Sequence, residues 1–157
     1  MRIVYIGAVE FSARVLEHLL TLNAEIVGVC TLQDSKFNAD HVDLSTMSAA
    51  HGIPYLYAKV INSVSVLNWI QDKSPDVIFC FGWSRLLKQD LLKLPPLGVI
   101  GFHPAALPAN RGRHPISWAL VLGLEKTAST FFFMDVGADN GDILSQREII
   151  IDDEDDA

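Results

Sequence analysis

Residues 1–20 read Met1-Arg2-Ile3-Val4-Tyr5-Ile6-Gly7-Ala8-Val9-Glu10-Phe11-Ser12-Ala13-Arg14-Val15-Leu16-Glu17-His18-Leu19-Leu20, and a change of period inside them decides the fold class. Ile3 to Ile6 is a β-branched, apolar run that stops at Gly7. Such a run reads as a strand buried on both faces. Beyond Gly7 the period changes. Phe11, Val15 and Leu19 stand four apart, as do Leu16 and Leu20. That spacing gives a helix with one buried face.

The same alternation repeats outward. Ala24 to Cys30 reads as a second strand, and Gln33 to Asp43 as a polar loop. Leu44 to His51 forms a short helix closed by Gly52. Pro54 to Tyr57 is a brief strand. Asn62 is placed to cap a helix through Ile70 that carries Val66, Leu67 and Ile70 on one face. Asp76 to Phe81 is apolar enough for a central strand. Leu86 to Leu94 reads as a helix stopped by Pro95-Pro96. Val99 to Phe102 is a strand, Pro115 opens a helix through Leu122, and Ser129 to Met134 and Ile143 to Ile151 are further strands. Strands alternating with helices predict an α/β domain over 1–157 with an open, mostly parallel central sheet and helices on both faces. In such sheets the binding crevice lies beyond the carboxyl ends of the strands. The last seven residues hold five acids, which suit a solvated tail or the cap of a further helix, and the chain is expected to continue past Ala157.

Composition narrows the partners. Half of the 157 residues are apolar, a fifth are charged, and the net charge is −7. That balance disfavours a nucleic-acid groove, which needs clustered Lys and Arg. It allows a small anion held by one or two arginines. Cys30 and Cys80 end apolar runs and read as small buried hydrophobes rather than a disulfide. The amino terminus has no signal-peptide pattern, and no apolar run is long enough for a membrane span, so a cytoplasmic location is expected. The Gly7 turn lacks the second and third glycines of a dinucleotide fingerprint, and Glu10 would repel a pyrophosphate. A strand-to-helix turn accounts for it.

Chemistry concentrates in two blocks. The first is Gly101-Phe102-His103-Pro104-Ala105-Ala106-Leu107-Pro108, continuing into Asn110-Arg111-Gly112-Arg113-His114-Pro115. The second is Met134-Asp135-Val136-Gly137-Ala138-Asp139-Asn140-Gly141-Asp142-Ile143-Leu144. His103 follows an apolar strand, where α/β enzymes place catalytic side chains and where a structural histidine also fits. The second block adds aspartates among glycines. A carboxylate beside an imidazole fixes its tautomer and makes it a proton carrier.

These blocks resemble the formyltransferase family that uses 10-formyltetrahydrofolate, which includes methionyl-tRNA formyltransferase, the glycinamide ribonucleotide enzyme and the sugar-nucleotide N-formyltransferases. The family pattern is Asn-x-His, then Ser-Leu-Leu-Pro, an Arg-Gly-Arg-x-Pro turn, and Asp-x-Gly before a strand. The resemblance covers nearly the whole chain and implies a Rossmann-like formyltransferase fold. It assigns His103 as the catalytic histidine and Asp139 as the aspartate that tunes it, with Asp142 the rival carboxylate. It places the folate along Arg85, Leu86 and Leu87, near Arg113, and against Asp135, Val136, Gly137, Ala138 and Asp139. Core packing of Leu86 and Leu87, and a solvated Arg113, are the competing explanations.

Two positions depart from the pattern. Ala105-Ala106-Leu107-Pro108 replaces Ser-Leu-Leu-Pro, and Gly101 stands where the family has its asparagine. That amide helps to stabilise the oxyanion, and loss of one such donor costs about 2.7–4 kcal/mol. The replacements to consider are charged His103, Asn110, Asn140, or an ordered water in the room glycine leaves. The resemblance implies direct acyl transfer to a primary amine without a covalent enzyme intermediate. The histidines are scattered and the acidic tail lacks calcium-loop spacing, so no metal is expected. The loop Gln33-Asp34-Ser35-Lys36-Phe37-Asn38-Ala39-Asp40 is not basic, which favours a small amine, such as an amino sugar nucleotide, over tRNA. A methionyl-tRNA acceptor, a formyltetrahydrofolate hydrolase and a non-catalytic folate-binding module stay open as alternatives, as does a homo-oligomer.

Overall fold

The computed structural model describes residues 1–36, 38–152 and 154–156. Phe37, within the expected loop, and Asp153 and Ala157, in the acidic tail, lie outside the described residues. The chain forms two compact units, Met1–Val99 and Ile100–Ala157.

In the first unit, strands β1 (Arg2–Ile6), β2 (Glu25–Thr31), β3 (Tyr55–Tyr57) and β4 (Val77–Cys80) alternate with helices α1 (Glu10–Thr21), α2 (Ser45–Ala50), α3 (Val64–Asp72) and α4 (Gln89–Leu92). β1 pairs in parallel with β2 and β4, and β2 pairs in parallel with β3. Ile3, Val4, Tyr5 and Ile6 are all buried, so β1 is covered on both faces. The register shows what covers it. Val4 stands beside Gly28 and Tyr5 beside Val29. Registered neighbours share a face, and successive residues point to opposite faces. The Tyr5 hydroxyl donates to the Ser12 carbonyl of α1, while a Cβ on Gly28 would meet Trp69 of α3. α1 and α3 therefore lie on opposite faces.

Gly7 is required by close approach. A Cβ there would stand 2.5 Å from Ser12 Cβ and 2.7 Å from the Phe81 carbonyl. Ser12 Oγ donates to that carbonyl at 2.6 Å and accepts from Val9 N at 3.3 Å. The turn is filled by its own chain, as a strand-to-helix turn should be. Cys30 and Cys80 are free, buried, and placed on either side of Ile6. Burial pushes the Cys30 thiol up to about 12 and raises Cys80 and the Tyr5 phenol as well.

Two expectations need correction. Asn62 does not cap α3; Ser63 does, accepting from Val66 N at 3.4 Å. Asn62 instead donates to the Leu86 carbonyl at 2.9 Å and accepts from Lys88 N at 2.7 Å. That clip explains the second correction. The expected helix over Leu86 to Leu94 shrinks to Gln89–Leu92, because both ends of Leu86–Lys88 are tied to Asn62 rather than to a helical ladder.

In the second unit, residues 100–103 of β5 (Val99–His103) pair antiparallel with β6 (Lys126–Phe133), and β6 pairs antiparallel with β7 (Ile143–Ile150). Helix α5 (Pro115–Val121) has Pro115 in its first turn. The β6 side chains Ala128, Thr130 and Phe132 are buried, with period two, whereas every residue of β7 is exposed. β6 begins three residues before the expected Ser129, because Lys126 to Ala128 already pair with Glu148 to Ile150. No helix among the described residues is long and apolar enough to cross a membrane.

Candidate active site

β5 alternates its side chains, so Gly101 and His103 share one face, and both are buried. The strand delivers the imidazole to its carboxyl end, where Pro104 and the following turn stop the pairing. His103 Nε2 lies 2.9 Å from the Asn110 carbonyl. A carbonyl oxygen only accepts, so Nε2 carries a hydrogen and donates it. The opposite ring nitrogen, Nδ1, is 3.5 Å from Asp139 Oδ1. The ring is thus held between two oxygen acceptors, with a proton on one side and a carboxylate on the other.

Asp139 sits in the loop joining β6 to β7. Phe133 N donates to the Asp142 carbonyl at 2.8 Å and Asp135 N to the Asn140 carbonyl at 3.0 Å, which closes the loop on itself. Gly137 and Gly141 take positive φ, and Asp139 itself has φ 49°. Asparagine and aspartate tolerate this left-handed conformation better than most residues. Asp139 Oδ2 accepts from Gly112 N at 2.7 Å. One carboxylate therefore joins the histidine to the Asn110–Arg113 turn. Asp142, the rival carboxylate, is exposed and contributes its backbone carbonyl to loop closure.

The structure brings Gly101, His103 and Asp139 into one unit with the main chain of Asn110 and Gly112. Asp135 accepts from Val136 N at 2.7 Å, and Asp135 to Ala138 form the exposed arm of the Asp139 loop. Arg113 is exposed in the turn that Asp139 holds. Arg85, Leu86 and Leu87 belong to the first unit: Arg85 and Leu86 are exposed, Leu87 is core, and the Asn62 clip fixes the segment. Core packing thus accounts for Leu87 but not for Leu86.

The room expected at Gly101 does not exist. A Cβ there would stand 2.8 Å from Met134 Cγ, 3.0 Å from Phe132 Cζ and 3.1 Å from Met134 Sδ. Phe132 is the cross-strand partner of Gly101, and the Met134 side chain lies against it. Met134 and Phe132 fill the space next to the Gly101 Cα. Sequence reasoning also missed the Asn110 carbonyl and the Gly112 amide, because main-chain groups leave no mark on residue type. Among the described residues no cluster of His, Cys, Asp and Glu has the arrangement of a metal site.

The sequence model of the formyl transferase family matches residues 1–157. The chain belongs to the formyl transferase family. Methionyl-tRNA formyltransferase from Alkaliphilus oremlandii is 34% identical over 155 residues, covering 96% of this chain and 50% of that protein. This formyl transferase chain spans about half the length of the curated relatives it matches. In fold it is similar to phosphoribosylglycinamide formyltransferase from Bacillus halodurans, with a TM-score of 0.84, 22% identity, and coverage of 99% of this chain and 83% of that one. It is also similar to a formyltetrahydrofolate deformylase from Pseudomonas syringae, with a TM-score of 0.79, 21% identity, and coverage of 99% and 53%. The fold is therefore the Rossmann-like α/β fold of the family.

Proposed function

We propose that the chain transfers the formyl group of 10-formyltetrahydrofolate to a primary amine, with His103 moving the proton and Asp139 holding the ring. The observation that carries this reading is the buried imidazole between the Asp139 carboxylate at 3.5 Å and the Asn110 carbonyl at 2.9 Å. The uncharged amine attacks the formyl carbon, and a new carbon–nitrogen bond forms. The bond from that carbon to the folate nitrogen breaks. The proton balance closes through His103, which gives its Nε2 hydrogen to the leaving nitrogen and takes the amine's proton in its place. To do so, Nε2 exchanges the Asn110 carbonyl for the substrate. Asn110 lies in an exposed turn at φ 55°, which can give way without unpicking a strand. The Asp139 carboxylate, itself held by Gly112 N, keeps the ring aligned during the exchange, as proton transfer requires.

A small amine is the acceptor we favour, because the loop after β2 is not basic and the net charge is −7. Methionyl-tRNA is the second reading, carried by the relatives that bear that name. An amino sugar nucleotide is one small amine to include. The deformylase likeness is in fold alone and adds water to the acceptors worth offering.

The test offers 10-formyltetrahydrofolate with amino sugar nucleotides, with glycinamide ribonucleotide, with methionyl-tRNA, or with water only. Products are read by mass spectrometry beside a His103→Ala control. Formylation of one acceptor, lost in the control, supports the transferase and names its acceptor. Formate from the water-only arm would replace it with a hydrolase. Folate binding without any product would leave a binding module.

A further inference from the structure

His103, Thr130 and Gln146 are successive cross-strand neighbours. His103 pairs with Thr130 across β5 and β6, and Thr130 pairs with Gln146 across β6 and β7. Directly opposed residues share a face. The three side chains thus form a row on the histidine's side of the sheet. Thr130 is fully buried and has a use for each function of its hydroxyl. Its Oγ1 donates to the Ala105 carbonyl at 2.6 Å and accepts from Gln146 Nε2 at 2.9 Å. The same nitrogen donates to the Leu107 carbonyl at 3.0 Å. Because a carbonyl can only accept, the amide has one orientation here, with nitrogen towards the turn.

The turn held in this way is the segment that leaves His103. Leu107 N donates to the Ala105 carbonyl at 2.9 Å and Ala109 N to the Ala106 carbonyl at 3.0 Å. The next residue, Asn110, supplies the carbonyl that receives His103 Nε2. Two carbonyls of the turn are anchored to the row, and the third group downstream sets the ring. We propose that Gln146, acting through Thr130 and Leu107, is a positioning residue for His103. It works as a donor only: two N–H groups latch the Ala105–Leu107 turn, and the amide oxygen is not needed. The proposal rests on the assignment of His103 as proton carrier, but its geometry can be judged separately.

The test compares Gln146→Leu, which keeps bulk and removes both donors, with Gln146→Lys, which keeps N–H donors within reach. Gln146 lies on an exposed edge strand, so both chains are expected to fold, which thermal melting checks. Thr130→Val is the second variant, removing the hydroxyl at nearly constant volume. Amide hydrogen exchange reports on the latch directly. Loss of donors of this kind should speed exchange at Leu107 and Ala109 about tenfold in Gln146→Leu and Thr130→Val, and much less in Gln146→Lys. Formyl transfer reports on the ring. Turnover should fall about tenfold in Gln146→Leu with KM for the folate changed by less than about twofold, and Gln146→Lys should recover most of it. Unchanged exchange at Leu107 and Ala109 in Gln146→Leu would overturn the latch. A lysine variant no better than the leucine variant would overturn the donor-only role. If the unaltered chain transfers no formyl group, the functional reading fails, while the exchange measurement still decides the latch.

Discussion

Gly101 and Met134 should behave as one unit under mutation. The perturbation is a double-mutant cycle of Gly101→Asn, Met134→Ala and the pair. In Gly101→Asn the new Cβ is set 2.8 Å from Met134 Cγ and 3.0 Å from Phe132 Cζ. These are closer than ordinary van der Waals contact, so the Met134 side chain must shift. Overpacking of this kind costs about 1–3 kcal/mol. Met134→Ala removes a half-buried thioether chain, and its cost should fall at or below the lower end of the roughly 2–5 kcal/mol seen for buried methionines. In the double variant the methionine is already absent, so most of the overpacking cost disappears. The coupling should be about 1–3 kcal/mol in favour of the pair. Urea unfolding followed by far-ultraviolet circular dichroism measures it, with midpoints compared at constant slope. Additivity within about 0.5 kcal/mol would refute the reasoning, because it would mean that the two side chains do not compete for the same space. Activity gives a second reading. If an amide at 101 serves the oxyanion, the double variant should exceed Met134→Ala by up to about 10²–10³-fold in turnover.

Three further outcomes are expected. His103→Ala should lower turnover by about 10²–10⁴-fold, and Asp139→Ala should lower it too while freeing the Gly112 amide, which exchange at Gly112 would show. The buried thiols make the first unit sensitive to alkali. Burial raises Cys30 to about 12 and shifts Cys80 in the same direction. A neutral acid with a raised folded value contributes stability that is complete below its unfolded value and is lost as pH climbs towards the folded one. Unfolding free energy should therefore fall by about 1.4 kcal/mol per pH unit for each thiol above about pH 9, and Cys30→Val should remove one share of that slope in urea melts at pH 8 and pH 10. Asn110 acts through its carbonyl at φ 55°, so Asn110→Gly should keep turnover, whereas Asn110→Val should cost about 1–2 kcal/mol of stability and reduce turnover, as paired melting and product assays would show.

The alternation of periods made the elements legible. Strand and helix positions in the first unit follow from where apolar residues fall, since burial on one face or two is what the pattern encodes. Asn62 shows where that reading stops. Asparagine caps helices and clips loops with the same amide, and only the chain's path shows that it faces Leu86 and Lys88 rather than the start of α3. The short α4 follows from the same cause. Around His103 the pattern named side chains well but was blind to main chain. Gln146 gave no signal at all, because an amide on an exposed edge strand is ordinary until its register with Thr130 is known.

Around the ring, the three groups tied to His103 and Asp139 are a carboxylate, the Asn110 carbonyl and the Gly112 amide. Two of the three are main chain, and the latch from Thr130 and Gln146 also ends on main-chain carbonyls. Contacts of this kind depend on the path of the turn and not on its side chains. That explains how Ala105-Ala106 can stand where the family pattern has Ser-Leu without disturbing the histidine. It also explains why Gly101 differs in kind from those changes. The turn can change its side chains and keep its hydrogen bonds, but a strand position packed against Met134 and Phe132 can regain an amide only if its neighbour yields. The candidates for the donor to the reacting carbonyl are then charged His103, Asn110, Asn140, or an amide regained by a coupled change at 101 and 134, and the double-mutant cycle tests the last of these.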